Sequence, residues 1–343
     1  MDINNLETFK GLITKYDLND RDQLKVSSIY KFFEEATGFT SSLLNKKLDF
    51  NFEEQLQINY PNLKYQEYQT VYILTDLKRQ KDSIQFINKL YLSTSDNDSK
   101  DLIISLNKNT INSVKLENFS INKPEINTDI FSAFKGLVKK EDCDQMSHMN
   151  VQYYFGKHSD AIKILFNKIS SQSLDNLAYR IVNERCIFSK EVSLDCALEI
   201  VLSIKNIYEN NLILLSKVYC IDNKNVSAYF ETNISFKTDK KVKKIINKIF
   251  STKTPTYLNE LQFNDLRQLT ENRPSSKPSK IAFISCKKAV NTWDLDHELM
   301  GSNQFKIGCV SDAATHLFTY CGADYNWRTE YNIGSAALDY SVR

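Results

Sequence analysis

A short pattern is written three times along this chain, and it restricts the architecture to one built from a repeated unit. Residues 138–166 carry Val138, Asp142, Asp144, Ser147-His148-Met149-Asn150, Tyr153-Tyr154, Ser159-Asp160-Ala161 and Leu165-Phe166. Residues 290–318 carry Val290, Asp294, Asp296, Phe305, Ser311-Asp312-Ala313 and Leu317-Phe318 at one constant offset (294 − 142 = 152 and 312 − 160 = 152). A fainter copy opens the chain. Tyr16-Asp17-Leu18-Asn19 echoes Trp293-Asp294-Leu295-Asp296, and Glu35-Ala36 stands 125 residues before Asp160-Ala161.

The spacing within each copy has a physical meaning. An apolar or alternating stretch precedes each acidic pair: Phe9 to Tyr16, Phe131 to Val138 and Ile281 to Val290. After the middle pair, Val151, Tyr154, Phe155, His158, Ala161, Ile162, Leu165 and Phe166 recur at steps of three and four, which predicts a helix with a wide apolar stripe laid against a sheet. Four alternating segments follow, Ala178–Lys190, Ala197–Tyr208, Asn211–Ile221 and Val226–Lys237, joined by turn-prone Glu209-Asn210-Asn211 and Asp222-Asn223-Lys224-Asn225. One strand, one long helix and four antiparallel strands make an α+β unit of roughly 110–130 residues, an ordinary domain size.

The middle copy, Glu141-Asp142-Cys143-Asp144-Gln145-Met146-Ser147-His148-Met149-Asn150, resembles the hotdog-fold acyl-CoA thioesterases. Within them it is most similar to the 4-hydroxybenzoyl-CoA thioesterase-like group, which includes betainyl-CoA-type enzymes. The family usually has glycine before the histidine, where this chain has Ser147. The third copy keeps Gly301 but has Met300 for His148 and Ser302 for Asn150; the first has Gln23 for His148, Lys25 for Asn150 and Asn19 for Asp144. The resemblance implies tandem hotdog units, each a long central helix wrapped by an antiparallel sheet. They would pair as an internal pseudo-dimer, act on an acyl-CoA and need no metal or other cofactor. Assembly into a homo-oligomer is compatible with it.

Thioester hydrolysis needs a base or nucleophile beside the carbonyl and donors for the developing oxyanion. A loop carboxylate just before a helix supplies the first, and the N-terminal end of that helix favours the second. Asp144 is the candidate carboxylate, as base or nucleophile; His148 would orient substrate or carry a proton, and Asn150 would cap the helix or position the acyl group. Asp160, Tyr153 and Tyr154 are candidates for substrate binding. Each has a plainer reading. Asp142 and Asp144 suit strand ends and helix caps, His148 and Asp160 can be structural, and the tyrosines belong to a core stripe. Asp-x-Asp alone, with no His pair, is weak as a metal motif. Lys240, Lys241, Lys243, Lys244 and Lys248 can meet the phosphates of coenzyme A, although a solvated helix face is the commoner use of such a run.

Composition narrows the classes. With 42% hydrophobic and 25% charged residues, the 343-residue chain can bury two or three cores. Lys+Arg 44 against Asp+Glu 42 leaves +2, with no field for nucleic acid or an acidic membrane. The N-terminus lacks a signal-peptide pattern, and no apolar run is long enough for a membrane span. Seven cysteines without Cys-x-x-Cys fit a reducing, cytoplasmic setting better than disulfides or zinc. The expected organisation is unit 1 over 1–120, unit 2 over 125–250, a Pro/Ser-rich linker over 251–280 with a short helix near Leu258–Leu269, and a partial unit 3 over 281–343. That last unit reads as truncated. The alternatives to a hydrolase are an acyl-thioester hydratase or dehydratase on the same fold, and a non-catalytic acyl-thioester-binding protein.

Overall fold

The tetrapeptide Phe-Lys-Gly-Leu occurs twice, at 9–12 and 134–137, again 125 residues apart, and these two segments form the middle of the molecule. A computed structural model describes residues 3–44, 52–58, 65–80, 83–93, 102–110, 126–127, 129–144, 146–173, 177–237, 239–251, 253–254, 294–295, 301–331 and 339–342. The first half contains β1 (Ile3–Leu12), α1 (Val26–Leu43), β2 (Phe52–Ile58), β3 (Thr70–Gln80), β4 (Ser83–Leu92) and β5 (Leu102–Thr110). A two-residue strand β6 (Ile126–Asn127) precedes the second half: β7 (Ile130–Leu137), α2 (Val151–Ser173), β8 (Tyr179–Phe188), β9 (Ala197–Ile207), β10 (Asn211–Cys220), β11 (Asn225–Phe236), α3 (Lys240–Phe250) and β12 (Lys253–Thr254). Then come α4 (Asn303–Tyr320), α5 (Tyr325–Glu330) and β13 (Asp339–Val342). The expected strand at Ile281–Val290, the short helix near Leu258–Leu269 and the linker beyond Thr254 fall outside the described residues.

Among the described residues, eleven strands form one antiparallel sheet in the order β13-β8-β11-β10-β9-β7-β1-β3-β4-β5-β2. Outward from its centre, β7-β9-β10-β11-β8 repeats the path β1-β3-β4-β5-β2. The halves meet where Lys10 pairs with Lys135, residues that occupy the same place in the two copies. A two-fold relation between the halves therefore passes between them, and the side-chain bonds obey it. Lys10 Nζ donates to the Ser132 carbonyl (3.0 Å), and Lys135 Nζ donates to the Glu7 carbonyl (3.1 Å), with Glu7 and Ser132 again 125 residues apart. Glu7 also meets both ammonium groups at 3.3 Å, and Lys135 lies 3.7 Å from the buried Glu199. Burial alone would push the Glu7 carboxyl upward, but Lys10 and Lys135 hold it at about 2. Against its own burial, Lys135 is held above its ordinary value by Glu199 and Glu7.

Helix α2 forms where the apolar steps place it. Phe155, Ile162, Leu165, Phe166 and Ile169 are fully or almost fully buried on the second half's sheet, each worth roughly 1.5–3 kcal/mol. Helix α1 buries Ile29, Phe32, Phe33 and Ala36 in its own half. Its buried hydroxyls at Thr37 and Thr40 are satisfied by the carbonyls of Phe33 and Ala36 one turn back. Core is exchanged across the junction. Phe39 of α1 packs with Ile130, Ala197, Val201 and Tyr219 of the second half, and Leu12 of β1 joins the cluster under α2. The lysine run at 240–248 becomes the exposed side of α3, whose Val242, Ile246, Ile249 and Phe250 are buried. Asp239 caps it by accepting from Val242 N, and Lys241 bonds the Ser173 carbonyl at the end of α2. No helix among the described residues is long and apolar enough to cross a membrane.

The segment after residue 300 docks on the second half through a different surface. Along α2 and α4, Gln304 lies over Gly156 and Gln152 lies over Gly308, two pairs related by the 152-residue offset (304 − 152 = 152 and 308 − 156 = 152). At those points the flexible end of each helix's glutamine fills the space over the other's glycine. Ile307 enters the main core, and β13 extends the sheet by pairing with β8, Asp339 opposite Ile187.

Candidate functional site

The loop between β7 and α2 is built by backbone bonds, and the same bonds recur in the first half. Asp144 N donates to His148 O (2.8 Å) and Asn150 N to Asp142 O (2.8 Å); in the first half, Asn19 N donates to Gln23 O (2.8 Å) and Lys25 N to Asp17 O (2.8 Å). The side chain at the second acidic position completes the turn. Asp144 Oδ1 accepts from Met146 N (2.9 Å) and His148 N (3.0 Å), and Asn19 Oδ1 accepts from Arg21 N (2.9 Å) and Gln23 N (3.0 Å). Ser147, where the resembled family carries glycine, has φ +63°, and its counterpart Asp22 has φ +58°. This loop demands the left-handed region there, a conformation that suits glycine best. Even the third copy keeps one of these bonds, Ser302 N to Asp294 O at 2.8 Å.

Asp142 is a structural residue of the turn. It is buried, accepts from Lys139 N (3.0 Å) and pairs with Lys157 Nζ at 2.7 Å. Asp144 is exposed, and His148, half-buried, sits on the same loop with Nδ1 3.4 Å from Glu191 Oε2. Asn150 caps α2: its Oδ1 accepts from Gln152 N (3.3 Å) and its carbonyl from Tyr153 N (3.0 Å). The loop is braced from behind by residues 189–196, with Met149 N on Val192 O, Leu194 N on Ser147 O and Val138 N on Cys196 O. Asp144, His148 and Asn150 are therefore brought together at the start of α2.

A second group of charges lies where α1, β7 and α2 meet. Glu35 reaches from the first half's helix to the end of β7: its Oε2 accepts from Leu137 N (3.3 Å) and its Oε1 pairs with Lys139 Nζ (2.6 Å). A Cβ at Gly136 would come within 2.8 Å of that Oε2, so the glycine keeps the approach open. Asp160 faces the same region. Burial pushes its carboxyl up to about 6, with Lys157 and Lys139 pulling down and Asp142 pushing up. A carboxyl that titrates there is poised to exchange protons near neutral pH.

No protein-family model matches the sequence, and a search of curated proteins finds no match. Among solved structures, an acyl-CoA hydrolase from Agrobacterium tumefaciens superposes with a TM-score of 0.50 at 9% identity, over 68% of this chain and 95% of that one. The fold is the hotdog fold of acyl-CoA hydrolases and thioesterases. A Staphylococcus aureus protein in complex with CoA matches less of the chain, 47% of it and 100% of its own length, with a TM-score of 0.34 and 15% identity.

The remaining candidates lie along α2 of this hotdog fold. Tyr153 is half-buried at the start of α2, beside the core. Tyr154 is 3% exposed and turns its ring edge to Phe188, so it is core. Asp160 lies about 15 Å along the helix from Asn150 at 1.5 Å per residue, in the junction cluster rather than beside Asp144. Sequence reasoning counted His158 only as part of the apolar stripe. In the structure its Nδ1 meets Glu184 Oε1 at 2.6 Å and its Nε2 meets Ser216 Oγ at 2.8 Å, with Phe230 stacked on the ring. This has the connectivity of a Ser-His-Glu triad, yet all three side chains are at most 1% exposed. It is a satisfied polar network within the core, joined to α4 by Asn303 Nδ2 on Glu184 Oε2 (2.6 Å). The spacing of 158, 184 and 216 gave no signal, because only the packing of α2 on the sheet across β8, β11 and β10 brings them together.

Proposed function

We propose that this chain is an acyl-CoA thioester hydrolase made of tandem hotdog units, 1–120 and 125–250, with 281–343 a partial third, and that the loop at Asp144 is its site. The observation that carries this reading is the pair Asn19 and Asp144. Both accept the same two loop amides, so the turn needs only a side-chain oxygen, which an asparagine provides. The negative charge at 144 is surplus to folding and stands on the copy that also has His148. The 68% match to the Agrobacterium hydrolase spans more than either unit alone, which supports the tandem arrangement.

In this reading Asp144 takes a proton from water as the water oxygen adds to the thioester carbon. The carbonyl oxygen gains negative charge against the first turn of α2, where the helix dipole favours it. The carbon–sulfur bond then breaks, and the proton that Asp144 took reaches the departing thiolate by way of His148. A direct attack by Asp144 would pass instead through an anhydride that water cleaves. Asp144→Asn preserves both loop hydrogen bonds and removes the charge. Thiol release from acyl-CoAs should fall at least about 100-fold, with unchanged unfolding, while Asn19→Ala changes turnover far less. Equal turnover in Asp144→Asn and the parent would remove this site.

A second reading is favoured by the raised carboxyl of Asp160, which would serve as base from the helix. It predicts loss of turnover in Asp160→Asn with Asp144→Asn active. Screening short, long, aromatic and betaine-like acyl-CoAs for free thiol separates hydrolysis from hydration, which consumes an enoyl thioester without thiol release. Binding without either separates the non-catalytic alternative.

A further inference from the structure

Two cysteines and an aspartate that none of the chemistry above employs converge at one end of the second half's sheet. Cys196 stands just before β9, Cys220 ends β10, and Asp222 lies in the turn that follows. Cys220 pairs with Leu198, and Ile221 N donates to Ala197 O at 2.9 Å. Continuing that register puts Cys196 opposite Asp222 and diagonal to Cys220, and the strand pleat sends all three to one face. Their ligand atoms lie within 4.8 Å of one another, the only such group of three or more His, Cys, Asp and Glu among the described residues.

The local bonds prepare these groups for a cation. Asp222 Oδ2 accepts from Ala197 N at 2.7 Å, which orients the carboxylate as an outer hydrogen bond does for a metal ligand. The Cys196 thiol donates to the Cys220 sulfur. That bond and the backbone N–H groups of Asn223 and Asp222 hold the Cys220 sulfur in place. Cys220 is buried, Cys196 half-buried and Asp222 exposed, which gives an entry path from solvent.

We propose that Cys196, Cys220 and Asp222 form a binding site for a thiophilic divalent cation of the zinc class, with a fourth position open to water. Two thiolates and one carboxylate suit the tetrahedral preference and borderline softness of Zn2+ and do not suit Mg2+ or Ca2+. The site lies behind the loop at Asp144: the carbonyl of Cys196 accepts from Val138 N at 2.9 Å, and the preceding residues brace Ser147 and Met149. A bound ion fastens that brace to β10.

The experiment uses the full chain, reduced and stripped of metal, titrated with Co2+ and separately with Zn2+ against a chromophoric chelator. The expected result is one equivalent bound, with thiolate-to-cobalt charge-transfer bands and intense visible bands of a tetrahedral ion. Cys196→Ser and Cys220→Ser should each remove the charge-transfer bands of their own sulfur. Asp222→Asn should weaken Zn2+ by at least about 10-fold, the smallest loss usual even for an outer-shell partner. Cys321→Ser, on the exposed end of α4, should change nothing. Because the cobalt spectrum is read on the unaltered chain, poorly folding variants do not spoil the test. Absence of stoichiometric binding, cobalt bands without thiolate character, or binding that survives in folded Cys220→Ser overturns the proposal. Formation of a Cys196–Cys220 disulfide under peroxide, with no metal affinity before oxidation, would overturn it in favour of a redox pair.

Discussion

Single residues in this chain divide by whether their chemistry exceeds what the fold needs. Asp142 is consumed by the turn and by Lys157, whereas Asp144 carries a charge that its counterpart Asn19 shows to be unnecessary for the loop. Asp160 goes further, because its ionisation is opposed by burial. Its folded value of about 6 stands above the ordinary 3.8, so the unfolded chain releases this proton first as pH rises. Folding is unaffected by this group below about pH 3.8, and the penalty grows through about pH 6 and is complete above it. Asp160→Asn should therefore gain stability over the parent above pH 6, by up to about 3 kcal/mol for a carboxyl raised this far, and match it near pH 3.5. Urea unfolding at the two pH values checks this; a stability gain independent of pH would contradict it. If Asp160 is the base, the parent's activity also rises with pH through an inflection near 6 that the variant lacks.

At the level of elements, close helix approach and loop bracing do most of the positioning. Helices α2 and α4 meet at Gly156 and Gly308, each covered by the glutamine of the other. Adding a methyl at Gly156 displaces only the flexible end of Gln304, so Gly156→Ala should be mild. Gly156→Leu has nowhere to go without moving α4, which would withdraw Ile307 from the core and Asn303 from Glu184. Loss of the Ile307 burial alone costs about 1.5–3 kcal/mol. The expected outcome is a lower denaturation midpoint for the leucine variant and faster amide exchange along β13 and α4, with β1 and β3 unchanged. Equal midpoints in the two variants would show that α4 is not held by this contact.

The whole molecule depends on the junction of its two halves, where four buried or half-buried charges meet at the centre of the sheet. Glu7 is the titrating member, held at about 2 against an ordinary 4.5 by Lys10 and Lys135. Its depressed value means that the stabilisation is complete above about pH 4.5 and is lost as pH falls toward 2. Glu7→Gln should lower stability at pH 7 by about 1–3 kcal/mol, a range that allows for the screening of a carboxylate in partial contact with water. The difference between variant and parent should shrink steadily between pH 4.5 and 2. Guanidinium melts at pH 7 and pH 3, read by fluorescence, test it; a constant difference would place the cause outside this carboxylate.

What the sequence by itself determined is the order of elements along the second half, β7, α2 and β8 to β11. Alternation placed β8 to β11 within a residue or two of their observed ends, because the strands alternate along part of their length and each connection carries Asn, Asp or Lys. Three-and-four spacing placed α2, and the constant offsets marked the same loop in the first two copies and one of its bonds in the third, since local hydrogen bonds shape it. The Phe-Lys-Gly-Leu repeat was equally legible, but its meaning was not: nothing local says that Lys10 will face Lys135. Pairings across many residues were decided by tertiary structure alone. His158 with Glu184 and Ser216, Glu35 with Leu137, and Cys196 with Cys220 and Asp222 are brought together by helix packing on the sheet, by the relation between halves and by sheet register, respectively. Those arise from burying apolar surface over the whole molecule, a sum that no short window of sequence contains.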